Sequence, residues 1–146
     1  MKIDTTSKED YSILIALWER SVRATHDFLP EDNIKILKPL IFKHYFDAVD
    51  LRVAKNNRGE IAGFIGVAEG NIEMLFISPD FFNCGIGSLL LKNAIQTQSA
   101  TKVDVNEQNH DATGFYQHLG FKVVGRSPID GQGNPFPLLH MELSEV

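Results

Sequence analysis

The sequence predicts a single α+β domain, with one mixed, mostly antiparallel sheet of about seven strands flanked by about four helices. Three observations predict it. Amphipathic helical periodicity fills most of the first third of the chain. It gives way to three strand-like segments joined by tight turns. Helix and strand patterns then alternate to the end, with no internal repeat, low-complexity tract or linker. At 146 residues the chain has room for one core and little for a second.

Lys2 to Asp4 reads as a short edge strand. Thr5, Thr6 and Ser7 offer helix N-caps, and Ser7 with Asp10 resembles a capping box. Tyr11, Leu14, Ile15, Trp18 and Val22 then recur at helical spacing, which predicts a helix to about Ala24. Pro30 and Glu31 open a second helical stretch carrying Ile34, Leu37, Leu40, Ile41 and Tyr45, with Pro39 expected to break or kink it. Leu51–Ala54, Ile61–Ala68 and Ile72–Ile77 are strand-like. The turns Asn56–Gly59 and Gly70-Asn71 make them an antiparallel meander. After Gly85 and Gly87 a helix is expected from Ser88 to about Thr97, then a strand over Val103–Val105 and a helix over Ala112–Leu119 stopped by Gly120. Phe121–Gly125 and Leu138–Leu143 complete the order β-α-α-β-β-β-α-β-α-β-β. A strand-helix-strand crossover following a meander gives a mixed sheet with helices on its faces.

Composition narrows the function. The formal net charge is −5, with no block of lysine or arginine, so nucleic acid is not the expected partner. Cys84 is the only cysteine, which leaves no internal disulfide and no call for an oxidising compartment. The start MKIDTTSKED lacks the apolar stretch of a signal peptide, and no apolar run reaches the roughly 18 residues of a membrane span. A cytoplasmic protein without membrane attachment is expected. His44, His110, His118 and His140 show no ligand spacing with a cysteine or carboxylate, so no metal is expected.

The segment from Ile72 to Leu91 carries the main chemical signal: strand, loop, Gly-x-Gly, helix. Glycine at 85 and 87 lets the backbone turn tightly and approach a ligand, and free N–H groups at a helix start welcome an anion. A tight strand-to-helix turn without ligand accounts for the pattern equally well. A dinucleotide fingerprint would need glycine where Leu90 stands, and a Walker loop would need lysine where Ser88 stands. The loop resembles the pyrophosphate loop of the GNAT superfamily of N-acetyltransferases, Gln/Arg-x-x-Gly-x-Gly/Ala, with Gly85-Ile86-Gly87 at its glycines. It departs from that pattern at Phe82, which replaces Gln or Arg, and at Asn83, which replaces a common glycine. Downstream, Asn109, Ala112, Phe115, Tyr116, Gly120 and Phe121 match the second recurrent segment of that superfamily, Asn-x-x-Ala-x-x-Phe-Tyr-x-x-x-Gly-Phe. The stretches 20–29, 105–109 and 135–139 are similar to those of small bacterial acetyltransferases of the YjaB type.

The resemblance implies a GNAT fold and transfer of an acetyl group from acetyl-CoA to a primary amine by direct attack in a ternary complex. The acceptor would be a small amine, or a lysine or N-terminus of a protein, and the protein a monomer or homodimer. It implies that the fourth strand splays from the fifth, so that the backbone of Met74, Leu75, Phe76 and Ile77 binds the pantetheine arm. Phe82, Asn83, Cys84, Gly85, Ile86, Gly87 and Ser88 would form the phosphate loop, with Asn106, Asn109, Ala112 and Phe115 along the coenzyme. Tyr116 would be the general acid for the leaving thiolate; without the resemblance it reads as a helix tyrosine packed beside Phe115. Glu73 is the candidate base, or a strand residue facing solvent. His26, Asp27, Phe28 and Tyr45 would line the acceptor site, with His26 and Asp27 alternatively a helix-end capping pair. For Asn109 an N-cap role is compatible with a coenzyme role. A coenzyme-binding sensor with little turnover is the alternative function, and Phe82 is the feature that favours it.

Overall fold

A computed structural model describes residues 1–144. The predicted element order is the observed one. Strand β1 (Lys2–Thr5) leads through a 3-10 turn into helices α1 (Tyr11–Thr25) and α2 (Glu31–Leu40). Then come the meander β2 (Asp50–Lys55), β3 (Ile61–Ala68) and β4 (Asn71–Ile77), helix α3 (Ile86–Thr97), β5 (Lys102–Asn106), α4 (His110–His118), β6 (Phe121–Ser127) and β7 (Leu138–Leu143). The seven strands form one sheet in the order β1-β2-β3-β4-β5-β7-β6, antiparallel except where β4 meets β5.

Strand alternation divides the core between the two sheet faces. On one face Ala62, Ile65, Ile72, Val103, Val105 and Met141 pack against Leu90, Leu91 and Ala94 of α3 and Tyr116 of α4. On the other, Val53, Phe64 and Met74 pack against Leu14, Leu17 and Trp18 of α1 and Ile34 of α2. Helices α1 and α2 thus cover the β2–β4 half of their face. On the β5–β7–β6 half of it, Asp104 is exposed and His140 and Ser127 are half-buried.

Several local expectations are corrected. Ser7 makes no side-chain cap; Thr6 Oγ1 donates to Asp10 Oδ2 at 2.5 Å instead, and a 3-10 turn precedes α1. Pro39 does not break α2. The helical path runs through it and changes at Ile41 to a wider π-type turn (Ile41–Tyr45), a local change of winding just after the residue that lacks an N–H. Helix α3 begins at Ile86, ahead of the predicted Ser88, because Gly85 at φ 78° turns the chain directly into it. Helix α4 begins at His110, ahead of Ala112, because Asn109 caps it: its Oδ1 accepts from the Ala112 N–H at 3.1 Å.

Two irregularities shape β4. Met74 pairs with Gly66 and Ile72 with Val67, so Glu73 is the extra residue of a β-bulge. The bulge shifts the alternation by one, sending Ile72 to the α3 face and Met74 to the α1 face. Beyond it the strand leaves its neighbour. β4 and β5 pair only at Asn71↔Lys102 and Ile72↔Val103, and from Glu73 to Ile77 the β5-facing edge of β4 has no strand partner.

Candidate active site

The parting of β4 from β5 opens the middle of the sheet, and α4 and the end of α1 flank the gap. A groove of about 830 Å³ runs from this gap to the start of α3. That is the size of a pocket for a sizeable small molecule. Its walls are β4 (Leu75, Phe76, Ile77), the loop after β4 (Phe81, Phe82, Asn83), the first residues of α3 (Ile86, Gly87, Ser88), the end of α1 (Ser21, Thr25, His26, Asp27) and one side of α4 (Asn109, Ala112, Phe115, Tyr116). A smaller opening of about 120 Å³ lies within the splay, lined by Glu73, Met74, Asp104, Asn106 and again His26, Asn109 and Tyr116.

The loop before α3 is built for close backbone approach. Asn83 (φ 62°) and Gly85 (φ 78°) both take the left-handed conformation, flanking Cys84. Asparagine tolerates that conformation better than other non-glycine residues, so its replacement of the family's glycine leaves the turn intact. Open space surrounds the point where a Cβ on Gly85 would project. Gly87 is tight rather than open: a Cβ there would stand 3.2 Å from Phe115 Cζ, so the tip of that ring would have to give by a few tenths of an ångström. The first N–H groups of α3 have no intrahelical acceptor and lie at the positive end of the helix dipole. No lysine or arginine lines the groove, so backbone amides are the groups left to hold an anion there.

Tyr116 is buried, 6% exposed, with its ring edge-on to Phe115 and Phe121 at 5.1 and 5.5 Å. Its hydroxyl makes no hydrogen bond to a described residue and is not sealed from solvent, and the residue lines both openings. Burial pushes the phenol above its ordinary value, so it keeps its proton through neutral pH.

His26 lies at the end of α1 with its ring beside Phe76 and Phe28, at 6.3 and 5.3 Å. Its Nδ1 is 2.7 Å from Thr25 Oγ1, whose own proton goes to the Ser21 carbonyl at 2.8 Å. Nδ1 therefore carries a hydrogen and donates to the hydroxyl oxygen. Nε2, at 3.4 Å from Asn109 Nδ2, is left with its lone pair at the splay. Burial pushes the imidazole below its ordinary value, against a smaller opposing pull from Asp27, and the neutral ring this favours matches the hydrogen bonding.

The structure brings most of the sequence-assigned residues together. Leu75, Phe76, Ile77, Phe82, Asn83, Gly85, Ile86, Gly87, Ser88, Asn109, Ala112, Phe115, Tyr116, His26 and Asp27 line the groove. Glu73, Met74 and Asn106 line only the smaller opening. The exposed Glu73 carboxylate accepts from Asn71 Nδ2 at 2.9 Å, and Asn106 Oδ1 is held by the Gln108 N–H at 2.9 Å. Cys84 lines neither opening; between two left-handed residues its side chain is carried outward, with Sγ 3.5 Å from the Phe82 carbonyl. Phe28 and Tyr45 also lie outside both. Phe28 packs toward Phe136, and Tyr45 accepts from Gln132 Nε2 at 3.3 Å, so both hold the β6–β7 loop.

Sequence reading missed Ser21, Ala24, Thr25, Phe81, Gln108, His110 and Asp111 as lining residues. It also missed a chain in which Asp104 Oδ1 meets His140 Nδ1 at 2.6 Å and His140 Nε2 meets Ser127 Oγ at 2.7 Å. No local pattern announces that chain, because its members come from three strands.

A splayed β4–β5 pair facing a glycine turn at the head of α3 is the arrangement that the sequence resemblance implied, and comparison with known proteins decides the family. Residues 30–145 match the acetyltransferase (GNAT) domain family. The chain is a GNAT acetyltransferase. It is 39% identical over 141 residues to the peptidyl-lysine N-acetyltransferase YjaB of Escherichia coli strain K12, covering 97% of this chain and 95% of that one. The YjaB of Salmonella typhimurium is 39% identical over 141 residues, with 97% of each chain covered. The solution structure of apo YjaB from Escherichia coli superposes with a TM-score of 0.89 at 38% identity, covering 99% of this chain and 98% of that one. A Thermoplasma acidophilum PaiA N-acetyltransferase solved with coenzyme A shares the GNAT fold, with a TM-score of 0.75 at 20% identity over 98% of each chain.

Proposed function

We propose that this GNAT enzyme transfers an acetyl group from acetyl-CoA to a primary amine, and that the amine is the side chain of a protein lysine, attacking the thioester directly in a ternary complex. The observation that carries the reading is the position of Tyr116: a buried, protonated, unpartnered phenol at the junction of the groove and the β4–β5 splay. Likeness to YjaB, named a peptidyl-lysine N-acetyltransferase, supports lysine as the acceptor.

In this reading the amides of Gly85 to Ser88 hold the pyrophosphate, and the open edge of β4 from Met74 to Ile77 holds the pantetheine arm. A backbone N–H near Leu75 or Phe76 polarises the thioester carbonyl. The amine nitrogen bonds to the carbonyl carbon, the carbon–sulfur bond breaks, and Tyr116 gives its proton to the departing sulfur. Glu73, on the bulge at the mouth of the splay, receives the amine's proton through water. His26 and Asp27 line the route by which the acceptor arrives.

The test is thiol release from acetyl-CoA with a lysine peptide, the same peptide with acetylated lysine, a peptide offering only its N-terminus, and a small diamine. Release restricted to free lysine is the expected result. Coenzyme binding without thiol release in any mixture would overturn the transferase reading in favour of a sensor.

A further inference from the structure

The chain Asp104–His140–Ser127 takes no part in the reading above. Its place follows from strand alternation. Val103, Val105 and Met141 point into the core under α3, so Asp104 and His140 point to the opposite face. They are direct cross-strand partners on β5 and β7, and Ser127 reaches His140 from β6. This is the half of the face that α1 and α2 leave uncovered; the Asp104 side chain is 47% exposed and that of His140 37%.

The carboxylate fixes the hydrogen-bond role at its own end of the chain. An ionised carboxylate only accepts, so His140 Nδ1 carries the hydrogen and donates to Asp104 Oδ1. In the neutral ring Nε2 then accepts from the Ser127 hydroxyl. What Asp104 keeps outward is acceptor capacity alone, the second oxygen of its carboxylate. A lysine ammonium has the opposite inventory, three donors and no acceptor.

Asp104 also lines the opening between β4 and β5, with Glu73, and neither carboxylate is paired with a lysine or arginine. Among the described residues no lysine or arginine lines that opening. Tyr116, more than nine-tenths buried and with a hydroxyl that makes no hydrogen bond to a described residue, lines the same space. A cation entering there meets fixed negative charge at the mouth and a proton donor at the end.

We propose that Asp104 seats the ammonium group of the acceptor, and that His140 and Ser127 are positioning residues that hold the Asp104 carboxylate at the mouth of the splay. The proposal rests on the transferase reading and deepens it by naming the acceptor subsite. An acceptor thus approaches across the open β5–β7–β6 face, on the other side of the splay from the phosphate loop.

Two measurements test it. In steady-state kinetics with a lysine peptide, Asp104→Asn should raise the acceptor KM about tenfold or more, with kcat and the acetyl-CoA KM changed far less. His140→Gln and Ser127→Ala should raise the acceptor KM by smaller factors, and Asp104→Glu should recover part of the loss. An unchanged acceptor KM in a folded Asp104→Asn protein overturns the subsite. The second measurement needs no turnover. Titration of the intact protein with n-butylammonium, followed by NMR at the His140 ring, should shift that resonance in the wild type and not in Asp104→Asn. No shift in the wild type overturns the proposal. A shift without peptide acetylation would retain the ammonium subsite and remove the transferase reading instead.

Discussion

Asn109 Nδ2 stands 3.4 Å from His26 Nε2, joining two residues 83 positions apart across the mouth of the active site. The amide can do this because its oxygen is already committed to the Ala112 N–H at 3.1 Å, which turns its nitrogen toward α1. One side chain thus caps α4 and presents a donor to the imidazole. His26 occupies both places that the sequence left open: its backbone N–H donates to the Val22 carbonyl at 2.7 Å at the end of α1, and its ring presents the Nε2 lone pair to the splay.

Removing that side chain should be felt as stability first. Asn109→Ala takes away the side-chain cap at the start of α4, a loss of about 0.5–2 kcal/mol. Urea denaturation should show a lower midpoint with an unchanged slope; an unchanged midpoint would mean that the cap is replaced by other partners.

The depressed pKa of His26 gives stability a pH dependence of definite sign. The folded state holds the ring neutral while the unfolded chain binds a proton at an ordinary histidine pKa, about 6.5. The unfolded state therefore binds more protons between the two values, and stability rises with pH there. The contribution is complete above the unfolded pKa and is lost as pH falls through the folded one. Thermal midpoints of the wild type should fall below about pH 6.5 more steeply than those of His26→Gln. Parallel curves would show that His26 protonates without cost in the fold.

The two glycines of the loop should respond differently when substituted. Gly85→Trp places an indole beside the groove with no protein atom in its way but strains a left-handed backbone at φ 78°, a cost of about 1–2 kcal/mol. Calorimetric titration of the variant, shown folded by circular dichroism, should therefore show loss of acetyl-CoA binding. Retained affinity would remove the phosphate-loop assignment. Gly87→Ala instead brings a methyl to the tip of the Phe115 ring, a push offset by the roughly 1 kcal/mol by which alanine is favoured over glycine in a helix. The urea midpoint should change little and acetyl-CoA binding should persist.

Tyr116→Phe keeps the ring packing against Phe115 and Phe121 and removes only the hydroxyl. Turnover should fall by roughly 100-fold or more while coenzyme affinity stays the same. An undiminished rate would assign the proton transfer elsewhere.

Much of this fold was legible from periodicity and turn chemistry. The strands 61–68 and 138–143 were bounded correctly because hydrophobic alternation and flanking turn residues agree there. Helix starts at 86 and 110 were placed late, because Gly85 and Asn109 act one residue before the helix and the apolar pattern begins only inside it. Cys84 was grouped with the phosphate loop by adjacency in sequence, and left-handed backbone on both sides turns it outward instead.

The sequence by itself determined the strand and helix order, the glycine turn and the tyrosine helix, since each depends on residues close together along the chain. Only the tertiary structure decided the bulge that puts Glu73 at the splay, the neutral state of His26, and the meeting of Asp104, His140 and Ser127. Those features depend on strand register and on burial, and both are set by packing between elements far apart in the chain, which local pattern does not encode.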